Sequence, residues 1–76
     1  MTIAQLDNGD RFVVKRITIA RAVGKRLADM GFTRGATGVV VRCALLGDPL
    51  QVRVCGYSVS LRRSEADGIE VERHGG

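Results

Sequence analysis

Three side chains in this sequence are thiol or imidazole groups, the ligands most characteristic of transition-metal sites: Cys43, Cys55 and His74. A transition-metal site needs three or four Cys, His, Asp or Glu ligands converging on one point. Cys43 and Cys55 stand twelve residues apart with no C-x-x-C, and His74 is the single histidine, at the end of the chain. The expectation is therefore two small, reduced, apolar-type residues and a solvated tail, with no metal ligand set and no cofactor. A surface histidine could still collect adventitious zinc or iron. No Cys–His or Ser–His–Asp arrangement has plausible reach, and there is no G-x-x-x-x-G-K-[ST] phosphate loop. The residues do not support nucleophilic catalysis, and the chain is not read as an enzyme.

The stretch Ala44-Leu45-Leu46-Gly47-Asp48-Pro49-Leu50 points instead to contact. Gly47 tolerates positive φ, Asp48 can hydrogen-bond nearby backbone, and Pro49 fixes φ and donates no N–H. The chain must turn there, yet Leu45 and Leu46 occupy positions that a turn normally fills with polar residues. Such leucines either close their own core or meet a partner.

The elements that would position these residues are short. Seventy-six residues make one domain, read as spanning 1–76, with 72–76 expected to be a disordered tail. A chain of this size buries only about 60% of its unfolded surface, so a deep substrate cavity is hard to build. No segment approaches the ~20 apolar residues needed to span a bilayer, and no signal peptide opens the chain. A cytoplasmic protein with no direct membrane insertion is expected.

Arg11 to Ile17 alternates as a strand, Phe12 and Val14 facing one way. Arg21 to Met30 reads as a helix with Ala20, Val23, Leu27 and Met30 on one stripe, Thr18 as the better cap and Gly31 as its stop. Gly24 within it suggests close packing, and Lys25 can meet Asp29 one turn later. Thr37 to Ala44 is a strand. Leu50 to Val54 and Tyr57 to Leu61 form a hairpin around Cys55-Gly56, with Cys55 facing outward. Ser64 to Gly68 reads as one helical turn capped by Ser64 and ended by Gly68, and Ile69 to Glu72 as a last strand. The expected fold is mainly β: a small SH3-like β-barrel with one inserted α-helix and a short helical turn.

Several motifs stand in one order: Leu6-Asp7 and Gly9, then Arg26-Leu27 and Met30-Gly31, then Gly35. Ala44-Leu45-Leu46-Gly47-Asp48-Pro49 follows, with Gly56-Tyr57, Ser60-Leu61-Arg62, Glu65-Ala66, Ile69 and Val71. In this order and spacing the chain resembles the FeoA family, small cytosolic components of bacterial ferrous iron uptake. Leu45 replaces a proline of the family's turn. The resemblance implies an SH3-like barrel that works as an adaptor with FeoB, a membrane permease carrying a GTP-binding domain, which could recruit it to the inner face of the plasma membrane. The C-terminal domains of iron-dependent repressors are similar, so a free-standing relative of those is an alternative, as is a transition-metal sensor or carrier.

The net charge of +4 suits an acidic partner surface. Arg16, Arg21, Lys25, Arg26, Arg62 and Arg63 could form a basic patch. Nucleic acid is not expected, because stacking needs exposed aromatics and only Tyr57 qualifies. The expected docking surface is Met30, Leu45, Leu46 and Tyr57 with Arg26 and Arg62 as polar rim. Such a patch would also permit self-association.

Overall fold

The computed structural model describes residues 1–19, 21–43 and 47–74, and of Arg21 the backbone alone. Among the described residues there are five strands: β1 (Arg11–Ile17), β2 (Thr37–Cys43), β3 (Leu50–Val54), β4 (Tyr57–Leu61) and β5 (Ile69–Arg73). Helix α1 (Arg21–Asp29) lies between β1 and β2, and the short α2 (Arg63–Ala66) between β4 and β5. The strands form one antiparallel sheet in the order β4-β3-β2-β1-β5.

Alternation decides what each strand buries. Phe12 and Val14 of β1, Leu50, Val52 and Val54 of β3, Leu61 of β4, and Ile69 and Val71 of β5 are buried. Their intervening neighbours are more exposed, as a period of two requires. The register shifts between Val14 and Arg16 on β1 and between Val40 and Arg42 on β2. Bulges of this kind add twist and let a sheet curl around its own core. Phe32 and Leu27 enter that core from α1 and its end.

Gly31 stops α1 as expected. It takes φ +108°, the Phe32 N–H donates to Leu27 O at 3.1 Å, and the Gly31 N–H donates to Ala28 O at 3.0 Å. This is a Schellman stop, with buried Phe32 meeting the helix it ends. A Cβ on Gly24 would lie 3.3 Å from the Ile19 carbonyl oxygen, so close packing there also holds. The Cys55-Gly56 turn is a two-residue hairpin with φ of 52° and 82°, the backbone of a type I′ turn.

Several expectations are corrected. Thr18 is not the cap of α1: its N–H and its hydroxyl both donate to Gly68 O, at 2.8 and 3.3 Å. Gly68 is not a left-handed helix stop. A Cβ there would stand 2.8 Å from Ile19 Cβ, so its role is to let that side chain close on the backbone. Arg62, not Ser64, precedes the first residue of α2. Lys25 and Asp29 form no ion pair among the described residues. Ala20 of the expected stripe and the strand end at Ala44 lie outside the described residues.

Residues 72–74 are held rather than loose: Glu72 and Arg73 pair with Val13 and Phe12 in β5, and the His74 N–H donates to Arg11 O at 2.9 Å. Positions 75 and 76 lie outside the described residues. The N-terminus is also ordered. Residues Ile3–Gln5 form a 3₁₀ turn, Ile3 and Leu6 are buried, and the Val71 N–H donates to Met1 O at 2.8 Å. The chain's first residues therefore cover the outer edge of β5.

Arg73 also reaches Asp10 Oδ2, at 3.1 Å from Nη2, while the Asp7 N–H donates to the same oxygen at 2.8 Å. First the Asp7 amide and then the Arg73 guanidinium hold the Asp10 carboxyl below the usual carboxylate range. The folded state thus favours the ionised form. Its stabilisation is full above the ordinary carboxylate pKa and is lost as pH falls through the depressed one. Chemical denaturation of Asp10→Asn should show a deficit against wild type near neutral pH that closes in acid. A deficit independent of pH would reject this role.

Candidate docking surface

Glu65 organises the ground between α1, β4 and α2. As the third residue of α2 it points back, and its Oε1 accepts the Arg62 N–H at 2.9 Å. That is half of a capping box, satisfying one of the orphan donors at the helix start. Its other oxygen pairs with the Arg26 guanidinium from α1. The Glu65 side chain is only 12% exposed, so these two partners are what allow its burial.

Asp48 approaches the same helix start, its Oδ1 accepting the Arg63 N–H at 3.1 Å. The Arg63 guanidinium donates to Gly47 O at 3.0 Å and to Ala4 O at 2.9 Å. One planar fork thereby ties the turn at Gly47 to the N-terminal segment. Gly47 has φ +78°, the conformation its residue type was expected to allow. Leu45 and Leu46 lie outside the described residues.

Together these elements bound an open groove of about 920 Å³, lined by Val23, Arg26, Asp48, Pro49, Ser60, Arg62 and Glu65. Of the expected surface, Arg26 and Arg62 line it together. Met30 is half-buried against the core at the far end of α1. Tyr57 is 70% exposed beside the hairpin turn, and neither it nor Met30 lines the groove. Contact between α1 and the hairpin is made at Gly31, whose carbonyl accepts from the Cys55 thiol at 3.7 Å.

Three cations of the basic patch are engaged within the chain while still exposed. Arg16 pairs with Glu70 at 3.0 Å, Arg26 with Glu65, and Arg63 is spent on backbone carbonyls. The Arg62 side chain has no acidic partner among the described residues. Arg63, expected only as one cation of a basic patch, instead ties together partners from positions 4, 47 and 48. Nothing local to Arg63 signals them. In the sequence Glu65 stands only as a motif residue, because Arg62 at the cap lacks the Ser or Thr that would mark a capping box.

Cys43 pairs with Leu50, whereas Cys55 follows Val54 at the opposite end of β3. At about 3.3 Å per residue this separates them by roughly 17 Å, which rules out a bridge within the chain in this fold. Among the described residues no three His, Cys, Asp or Glu side chains converge as a metal site. No helix among them is long and apolar enough to cross a membrane.

Comparison with known proteins follows the same lines. A family model described as FeoA domain matches residues 1–73. The chain is 44% identical over 72 residues to an Fe(2+) transport protein A/Fe(2+) transporter FeoB fusion protein of Porphyromonas gingivalis. That match spans 95% of this chain and 8% of the fusion protein. The solution structure of the FeoA protein from Chlorobium tepidum superposes with a TM-score of 0.94 at 42% identity, covering 100% of this chain and 72% of that one. The crystal structure of Stenotrophomonas maltophilia FeoA complexed with zinc, described as an SH3 domain protein, gives 0.85 at 30% identity, with 95% and 89% covered. The expected architecture, SH3-like with one inserted helix and a short helical turn, is the one found.

Proposed function

Because the chain belongs to the FeoA family, a family of ferrous iron transport, we propose that it is a non-enzymatic accessory component that docks on the cytosolic part of an FeoB-like GTP-binding permease. One observation carries this reading above the others. A relative at 44% identity has its matching segment on the same polypeptide as an FeoB transporter. Fusion raises the effective concentration of two modules for one another, which is useful where they must meet.

The fold supports the same reading. The described surface offers a charged groove and an exposed tyrosine, features suited to orienting a partner. Docking would use Arg26, Met30, Leu45, Leu46, Tyr57 and Arg62. Apolar burial would supply affinity, and the arginines orientation and on-rate. The working place would be the cytoplasm, at the inner membrane face when docked.

The test is uptake of radiolabelled ferrous iron in cells whose supply depends on the permease. Removing this chain should slow initial uptake while permease abundance stays constant. Undiminished uptake at equal permease levels would reject the accessory role.

A further inference from the structure

The two outer edges of the sheet are treated differently. Edge strands expose a row of unpaired N–H and C=O groups, and proteins normally shield them with charge, proline, bulges or a covering segment. The β5 edge is shielded: Glu70, Glu72 and Arg73 lie on it, Thr2 bridges to Glu70, and the Val71 N–H is taken by Met1 O. The β4 edge, Tyr57-Ser58-Val59-Ser60-Leu61, carries no charge, no proline and no bulge.

Its hydrogen-bond phase follows from the turn. A two-residue hairpin is closed by a mutually bonded pair, here Val54 and Tyr57. Alternation then makes Val52–Val59 and Leu50–Leu61 the other bonded pairs. Ser58 and Ser60 point their N–H and C=O groups away from β3. Neither has a backbone partner elsewhere among the described residues, and both are exposed. Beyond Ser60 lies the groove, whose opposite wall is α1 with Val23 and Arg26.

We propose that β4 takes up an added strand: an extended, acidic segment of the permease partner lies in the groove between β4 and α1, hydrogen-bonded to Ser58 and Ser60. This rests on the docking reading above and names how docking occurs. Main-chain bonds supply affinity in strand addition, and side-chain pockets supply selectivity. Here selectivity comes from charge: of the groove's charged lining, Arg26 and Glu65 pair with each other and Asp48 accepts the Arg63 N–H, so Arg62 is left as a cation with no acidic partner among the described residues, on a chain of net charge +4. The second wall of the groove is α1, through Val23 and Arg26.

The experiment uses the isotope-labelled chain and purified permease in detergent micelles. Adding permease should slow amide exchange at Ser58 and Ser60 by about tenfold or more. Ser60→Pro removes an N–H that no internal bond uses, a position where an edge strand accepts proline. It should leave the amide spectrum of the rest of the domain intact and weaken permease binding about tenfold or more. Arg62→Glu, which leaves the edge itself unchanged, should weaken binding too. Unprotected Ser58 and Ser60 amides, with Ser60→Pro binding as wild type does, would overturn strand addition while leaving docking intact. Failure of the wild-type chain to bind permease at all would overturn both. Protection that rises with the concentration of the chain alone, with a dimer in sedimentation, would overturn the choice of occupant.

Discussion

Gly38→Ala should destabilise the domain by about 3 kcal/mol and lower its melting temperature by roughly 10–20 °C. The reason is local and severe. A Cβ at Gly38 would lie 2.5 Å from the Arg53 carbonyl oxygen, 2.5 Å from Phe12 Cζ and 2.9 Å from Phe12 Cε1. The first of these is backbone of β3, which cannot swing aside without breaking the β2–β3 pairing at Gly38 and Val54. The second is a fully buried ring whose movement would disturb the core. A domain of this size has only several kcal/mol in hand, so the loss is a large share of its stability. Thermal and urea melts of the variant measure it. A melting temperature within a few degrees of wild type would mean that the sheet relaxes around this position far more easily than its packing implies.

Glu65→Ala should cost about 2 kcal/mol. Most of that comes from the lost cap and the buried group, because Arg26 is 53% exposed and its ion pair is screened by water. Glu65→Gln keeps an oxygen for the Arg62 N–H and should recover a good part of the loss. Urea denaturation of the pair checks this. Equal losses in both variants would move the weight from the cap to the charge. No loss in either would show that α2 holds its place by Ala66 and Leu61 packing alone.

Much of the fold was legible because strand alternation is a local signal. Phe12 with Val14, and Leu50 with Val52 and Val54, mark their buried faces in sequence. Gly31 and Cys55-Gly56 mark where the chain must turn. The errors share one physical cause, which is that tertiary neighbours chose the role. Gly68 looks like a helix stop but is small because Ile19 closes on it, and Thr18 looks like a cap but bonds across to Gly68. Arg73 looks like tail but pairs with Asp10, 63 residues away. Ile3 and Leu6 form too short a run to show a period, yet both are buried. Gly38 carried a readable signal, since a glycine inside a strand often marks a close backbone approach.

The candidate docking surface was legible only in part. Arg26 and Arg62 do share one groove. What joins them is Glu65, and what fixes the neighbouring turn is Arg63. Each of these depends on bringing α1, the turn at Gly47 and α2 together, which no spacing in the sequence encodes.

Docking itself is tested most directly by co-purification from solubilised membranes with a tagged chain, comparing wild type with a Leu46→Asp, Arg62→Glu double variant that remains soluble and folded. The wild-type chain should bring down the FeoB-like permease in stoichiometric amount, and the double variant should bring down little or none. Absence of the permease from the wild-type eluate would contradict the account.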